Sequence, residues 1–319
     1  MEKKAGHIIK KAALFVSLHK KNSTAVSRKI QTDLEKRGII TAVYLYEGKP
    51  EPPPDLNLYI SRDSVTPPKG EWDIAFSLGG DGTVLYTARC IAPLGVPILP
   101  VNLGSLGFIA GVDDWLDVFQ RWERGDLSLS HRHMLEVSVE RASQSVMKNI
   151  CLNDIVISAD GIAKLINLGV QLSVLDENLQ NAGKPASETE VDLVNYRCDG
   201  LIISTPTGST AYSMAAGGPI LDPEMEAVIL TPICPFTLSN RPFVLPSRRT
   251  IVITVARQQR SGVLLTVDGQ DTFNLECADR VIIKQASRPA LLILADRHAY
   301  YSALRTKLFW SGDSCGAAG

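Results

Sequence analysis

The sequence predicts an α/β plus all-β chain: an N-terminal Rossmann-like α/β domain and a C-terminal β-sandwich domain. Three observations point there. Apolar, strand-sized runs alternate with helix-period segments through the first third. Past about residue 128 that spacing gives way to short strands separated by turn residues. Two glycine-rich turns follow apolar runs in the first third, where α/β sheets place ligand crevices. The chain has 319 residues, 45% of them hydrophobic, enough for one large or two medium cores.

Residues 12–17 read as a buried first strand. Asn22-Ser23-Thr24 is expected to cap a helix in which Val26, Ile30 and Leu34 recur every four residues and which Gly38 closes. Residues 39–46 form a second strand, and four prolines between 48 and 55 make a loop. Residues 74–78 are a short buried strand, 83–92 a helix and 96–101 the next strand. A helix over 112–122 puts Val112, Trp115, Phe119 and Trp122 on one face, so both tryptophans belong to a core or an interface. Beyond the boundary, 135–139, 250–255 and 281–284 are strand-like, with one helix near 209–216. The expected domains are 1–128, 129–292 and a final segment 293–319, with a small, polar, disordered tail over 311–319.

The chain carries 33 basic and 34 acidic residues, a formal net charge of −1, so bulk charge gives no support to a nucleic-acid or membrane-surface protein. No apolar run reaches the ~18–20 residues that span a bilayer. The N-terminal apolar stretch lacks a small-residue cleavage site, stops at His19-Lys20-Lys21 and reads as a first strand. The cysteines Cys90, Cys151, Cys198, Cys234, Cys277 and Cys315 show no C-x-x-C pair, which fits reduced thiols in a cytosolic protein and no zinc site. His131 and His133 lie two apart, facing one way on a strand, but no third metal ligand is visible, so they read as surface or hydrogen-bonded histidines. Arg121, Arg124, Arg132 and Arg141 are expected to be solvated.

Gly79-Gly80-Asp81-Gly82-Thr83 follows an apolar strand and opens a helix. Glycines let backbone amides approach an anion, and a helix N-terminus adds partial positive charge, so this is a place for phosphate. Asp81 would repel that phosphate. It makes sense there if its carboxylate binds a hydroxyl, a metal ion or both; the plain alternative is a helix N-cap. Neither a P-loop nor a dinucleotide fingerprint is present. Asn102-Leu103-Gly104-Ser105-Leu106-Gly107-Phe108 is a second glycine turn after a strand, and the two turns should lie side by side.

In the second part Asn153-Asp154 precedes the apolar Ile155-Val156-Ile157, and Asp199-Gly200 precedes an apolar strand that ends in Ser204-Thr205-Pro206-Thr207-Gly208-Ser209-Thr210-Ala211-Tyr212. Hydroxyls and amides suit sugar or phosphate oxygens, and Tyr212 can stack on a base. Gly217-Gly218-Pro219 and Asp268-Gly269-Gln270 follow. Ordinary β-turns would explain each singly.

Taken together with Leu230-Thr231-Pro232-Ile233-Cys234-Pro235 and Arg241-Pro242, these motifs resemble those of the bacterial-type NAD kinases over roughly residues 70–310. The resemblance implies an α/β domain and a β-sandwich domain with NAD bound between them, and a C-terminal segment that returns to the first domain. It implies phosphoryl transfer from ATP, or polyphosphate, to the 2′-hydroxyl of the adenosine ribose of NAD, with a divalent metal such as Mg²⁺, no protein metal ligand assigned, in a cytoplasmic homodimer or homotetramer. It implies Asp81 as general base, with Gly79, Gly80 and Gly82 lining the same turn. Asn153 and Asp154 match an Asn-Glu pair that contacts the adenosine, the acid here one methylene shorter. Arg197 and Asp199 match the dinucleotide-binding segment. Thr210, Ala211, Tyr212, Ser213, Met214 and Ala215 match a ligand-contacting loop, Gln270 the Asp-Gly-Gln turn, and Lys164 a position without a motif. His131-Arg132-His133 and Ile109-Ala110-Gly111 depart from the family pattern. Two alternatives share features with this reading: a lipid or sphingoid-base kinase, which carries the same Gly-Gly-Asp-Gly-Thr turn, and a non-catalytic nucleotide-binding regulator.

Overall fold

A computed structural model describes residues 6–20, 22–46, 58–60, 70–104, 107–109, 111–161, 164–175, 188–237, 239–259, 261–296 and 298–310. The tail from 311, the proline loop of 48–55, Ser105, Leu106 and Ala110 lie outside them. The chain divides into two compact units: residues up to His131 together with those from Ala290 onward, and Arg132–Pro289. Both junctions fall three residues from the expected 128/129 and 292/293.

The first unit is built on β1 (Lys11–Ser17), β2 (Ile40–Tyr46), β3 (Leu58–Ile60), β4 (Ile74–Gly79), β5 (Ile98–Asn102) and β6 (Leu129–Arg132), joined by a strand from the chain's far end, β19 (Ala290–Ile293). The sheet order is β3-β2-β1-β4-β5-β19-β6, and the pairs from β3 through β19 are parallel. The chain moves outward one way from β1 to β3, then restarts at β4 on the other side of β1. That reversal makes the carboxyl ends of β1 and β4 a topological switch point, the place where open α/β sheets take ligands. β1 and β4 are buried nearly throughout, as parallel strands covered on both faces must be.

Helices α1 (Ser23–Glu35), α2 (Asp81–Ile91) and α3 (Trp115–Glu123) connect these strands. α1 buries Ile30 and Leu34, with Val26 packed beside them. Its N-terminus departs from expectation: Asn22 adopts a left-handed φ of 68° and its side chain makes no capping bond. α3 starts at Trp115, three residues later than expected, because Asp114 caps it by accepting the Asp117 amide. Val112 is still buried, but as a bridge partner of Val101 rather than as a helical residue. Trp115, Phe119 and Trp122 are in the core, and Trp122 stacks on His7.

The second unit holds two six-stranded sheets, antiparallel throughout their described pairings. One sheet combines β7 (Leu135–Arg141), β8 (Gln144–Cys151), β10 (Ile166–Leu175), β11 (Glu188–Cys198), β15 (Thr250–Val255) and β18 (Arg280–Gln285). The other runs β14 (Phe243–Pro246), β13 (Ala227–Ile233), β12 (Gly200–Ser204), β9 (Asp154–Asp160), β16 (Gly262–Val267), β17 (Asp271–Leu275). Alternate residues of both, such as Leu135, Val137 and Val139 against Ile155, Ile157, Leu201 and Ile203, share one core, so the unit is a β-sandwich. The helix expected near 209–216 is a 3-10 turn, Thr207–Thr210, followed by one helical turn, Tyr212–Ala215.

One surface expectation is corrected. Arg132 is buried at 3% exposure. Arg141 grips the buried Asp279, its Nε and Nη2 donating at 2.9 and 2.7 Å, and Asp279 is held below the ordinary carboxylate range by that guanidinium and the Glu276 amide against the opposing effect of burial. His133 Nδ1 lies 2.9 Å from Gln285 Nε2, and no cluster of three metal-binding side chains occurs among the described residues. Cys90, Cys151 and Cys198 are buried free thiols, while Cys234 and Cys277 are exposed. Among the described residues no helix is long and apolar enough to cross a membrane.

Candidate active site

β4 runs straight into the first glycine turn and β5 into the second. Gly79 pairs with Asn102 in the parallel ladder, and the Leu103 amide donates to Gly79 O at 3.0 Å, so the two turns are neighbours. Gly79 has no room for a side chain: a Cβ there would sit 2.1 Å from Thr83 Oγ1, in the first turn of α2. The second turn is shaped by Asn102, whose side chain accepts from the Gly104 amide at 3.1 Å and donates to Gly104 O at 3.0 Å.

Asp81 is the first residue of α2, with Gly80 as its N-cap and no side-chain cap bond. Its carboxylate reaches across to the second turn. Oδ2 accepts from the Phe108 amide at 2.8 Å and Oδ1 from the Ile109 amide at 3.2 Å. The N-cap alternative therefore fails, and the acid couples the two turns instead. Gly107 is required by that contact, since a Cβ on it would fall 1.8 Å from Oδ1. Phe108 is held in turn by Lys307, whose ammonium lies 4.7 Å from the ring centroid. Lys307 ends the C-terminal helix Ala299–Lys307.

Sequence reasoning assigned no role to Lys20, which follows β1 at the switch point. Its Nζ lies 3.2 Å from where a Cβ on Gly104 would stand and 3.8 Å from one on Gly80. One ammonium thus flanks both glycine turns. Nothing in the sequence marked it, because in the chain it only ends an apolar run.

In the second unit a polar cluster forms at one end of β9. Antiparallel pairing sets Ser204 opposite Asp154, and Ile155 opposite Val267, so the loops after β12 and β16 meet the start of β9. Asn153 O accepts from the Thr205 amide at 2.8 Å, and a Cβ on Gly208 would fall 2.2 Å from that same oxygen. Asn153 Oδ1 and Thr207 Oγ1 are buried without a hydrogen-bond partner among the described residues. Buried polar atoms are rarely left so, and two of them at one place mark where a ligand's donors would go. Asp154 is 5% exposed. Burial first, and then the negative charge of Asp268, push its carboxyl up to about 7.

The other expected site residues are not all gathered here. Thr210 is buried and bonds Thr207 O, Tyr212 is largely exposed, and Ala211, Met214 and Ala215 lie around it on the short helix and the turn before it. Ser213 is fully buried and its hydroxyl meets Thr231 Oγ1 at 2.9 Å, so it serves the packing of the loop. Gln270 follows Asp268 in the turn before β17, its amide donating to Val267 O. Arg197, Asp199 and Lys164 stand at the opposite end of the sheet. Asp199 O accepts from the Ala159 amide, Lys164 folds over Gly161, and the Arg197 guanidinium lies 4.6 Å from the Phe236 ring centroid. β12 has five residues between the two ends, about 17 Å at ~3.3 Å per residue.

Known proteins resemble the chain over nearly its whole length. The family descriptions "ATP-NAD kinase N-terminal domain" and "ATP-NAD kinase C-terminal domain" match residues 3–124 and 186–295. The chain is 38% identical to an NAD kinase of Treponema denticola over 96% of its own length and 98% of the relative's. It is 37% identical to an NAD kinase of Geobacter sulfurreducens, over 95% and 99%. Two solved structures share the fold: yeast NADH kinase complexed with NADH, at a TM-score of 0.76 and 23% identity over 98% of this chain and 90% of that one, and an Archaeoglobus fulgidus NAD kinase in complex with ATP, at 0.64 and 21% over 92% and 96%. The motifs, the coupled glycine turns, the sandwich cluster and these matches lead to one conclusion: the chain belongs to the NAD kinase family.

Proposed function

We propose that the chain transfers a phosphoryl group from ATP to the 2′-hydroxyl of the adenosine ribose of NAD, giving NADP, with Asp81 as general base. The observation that carries this reading is the Asp81 carboxylate, held at the switch point by two amides of a neighbouring glycine turn instead of capping its own helix. A half-buried carboxylate at that switch point is an acceptor within reach of a sugar hydroxyl.

A ribose hydroxyl is a weak nucleophile at neutral pH. Asp81 orients it and takes its proton as the new oxygen–phosphorus bond forms and the bond to the departing ADP oxygen breaks. Phosphoryl transfer has a loose transition state, so positioning and charge neutralisation supply most of the rate. The Gly79 and Gly80 amides, the N-terminus of α2 and Lys20 supply positive field for the donor phosphates. Asp81 is the carboxylate beside the glycine turns that would face a divalent metal such as Mg²⁺ accompanying the triphosphate, and the metal would supply charge neutralisation on the transferred group. Asn153, Asp154 and Thr207 meet the polar edge of the dinucleotide, with Thr210, Ala211, Tyr212, Met214, Ala215 and Gln270 around them. Arg197, Asp199 and Lys164 would touch it only at the other end of the sheet. A cytoplasmic homodimer or homotetramer belongs to the same proposal and is supported by the family resemblance.

The test is NADP formation by the purified chain from NAD, ATP and Mg²⁺, read with an NADP-specific dehydrogenase, with polyphosphate and NADH as rival substrates. Asp81→Asn should keep NAD binding and lose turnover by ~10²–10⁴-fold. Near-parental turnover in that variant removes Asp81 as base, and absence of NADP from the parent removes the function.

A further inference from the structure

The proposed reaction gives no role to Asp268, the first residue of the Asp-Gly-Gln turn, yet its geometry is tightly constrained. It joins β16 to β17 at φ 52°, a left-handed conformation that costs any residue with a side chain. It is 7% exposed. Its carboxylate accepts three successive backbone amides: Oδ2 from Leu152 at 2.9 Å, and Oδ1 from Asn153 at 2.8 Å and Asp154 at 3.1 Å. Its own amide donates back to Asp154 O at 2.9 Å. The turn between β8 and β9 is thus closed on Asp268 from both directions. A run of amides converging on one point is an anion nest, and here a side chain of the chain itself fills it. A buried acid is retained at such cost only if those charge-assisted bonds hold something that matters.

We infer that Asp268 is a positioning residue for dinucleotide recognition: its carboxylate fixes the backbone of residues 152–154 and so aims Asn153 and Asp154 at the ligand. This rests on the NAD reading above and names the residue that organises its nucleoside subsite. The turn has little freedom otherwise. Gly208 packs against the Asn153 backbone, and Thr205 ties both Leu152 O and Asn153 O. Asn153 Oδ1, left unpaired, is the group the arrangement presents. The same carboxylate also acts on Asp154 as a charge, the second cause after burial of its high proton affinity. The charged group that acts on Asp154 is Asp268 in the β16–β17 turn, and Ser204 at the end of β12 pairs opposite it in the ladder. Cys151 closes β8 beside it, and Asp271 nearby is engaged by Asn149 Nδ2 at 2.9 Å.

The experiment compares the full-length parent, Asp268→Asn and Asp268→Glu in NAD binding by calorimetry and in NADP formation, from pH 5.5 to 8.5. An asparagine offers one acceptor to three amides. Asp268→Asn should weaken NAD binding and raise KM for NAD on the order of tenfold, with kcat within threefold. It should also move the pH at which NAD affinity changes to lower values, because Asp154 loses its negative neighbour. Asp268→Glu keeps the charge, so it should weaken binding with the parental pH profile; if Asp268→Asn does not fold, this variant carries the comparison. Asn153→Ala should weaken binding alone but add little to Asp268→Asn, since both remove the same contact. A variant that binds NAD with parental affinity, or that loses thermal stability with KM and pH profile unchanged, overturns the inference. A parent that forms no NADP defeats the functional reading instead, and the two failures are told apart by that control.

Discussion

Gly107→Ala tests how the Asp81 carboxylate is held without altering the carboxylate itself. The new methyl would stand 1.8 Å from Oδ1, 2.3 Å from Cγ and 2.5 Å from Oδ2. Ordinary contact is ~3.5 Å, so the acid must swing aside by about 1–1.5 Å. It can do so, because the obstacle is a side chain and not backbone. In moving it gives up the amides of Phe108 and Ile109. Bonds to a charged group contribute ~1.5–3 kcal/mol each when sheltered, but these are partly open to water, so about 2 kcal/mol for the pair is the expected loss. That corresponds to a fall in melting temperature of roughly 4–8 °C. Turnover should suffer more, about 10²-fold, because an ångström of misplacement at a reacting group costs that much. The assay is steady-state NADP formation beside thermal unfolding. Gly82→Ala is the stability control: nothing lies within 4 Å of a Cβ there, and a helical alanine should raise stability by ~0.5–1 kcal/mol. Parental turnover and melting temperature in Gly107→Ala would refute the coupling of the two turns through Asp81.

Two further predictions concern the sandwich unit. Gly208→Ala should cost more than Gly107→Ala, ~3 kcal/mol by thermal or urea unfolding, because its methyl would meet only backbone atoms of Asn153, at 2.2–2.7 Å, and must prise the β12 loop from the β8–β9 turn; NAD affinity should fall with it. Asp154 binds a proton in the folded chain that the unfolded chain releases above about pH 4. Its carboxyl rises from an ordinary 3.8 to about 7, so the contribution of this one group to stability is fullest below pH 4, declines as pH climbs towards 7 by on the order of 4 kcal/mol, and then levels. Asp154→Asn should flatten that decline and unfold at higher temperature than the parent at pH 8; an unchanged pH profile would show that Asp154 ionises normally.

Much of the scaffold was legible because it depends on pattern. Buried parallel strands read as apolar runs, and β1, β2, β4 and β5 appear within two residues of their expected starts and ends. The side-by-side glycine turns followed from strand order alone. What failed were local signals that tertiary contacts override. Asn22 has the right chemistry for a cap but takes a left-handed backbone instead. Arg132 looked solvated because the burial of an arginine cannot be read from its neighbours in sequence. Partners distant in the chain were invisible: Asp81 and Phe108 are 27 residues apart, and Asp268 and Leu152 are 116 apart. Spacing could nominate the acids, but only the folded backbone says which amides they hold.

The two acids show why similar chemistry leads to different work. Asp81 and Asp268 each leave a glycine-containing turn and bind consecutive amides of another turn. Asp81 is half-buried at the carboxyl ends of the parallel strands, where a hydroxyl can reach its carboxylate and give up a proton to it. Asp268 is buried and takes three amides, and a carboxylate so engaged can shape the turn but has little left for substrate. The general base is therefore expected at the more accessible of the two acids. If proton transfer fell to Asp268, its removal would abolish kcat and spare KM for NAD. The geometry requires the reverse pattern, a loss in KM there and a loss in kcat at Asp81.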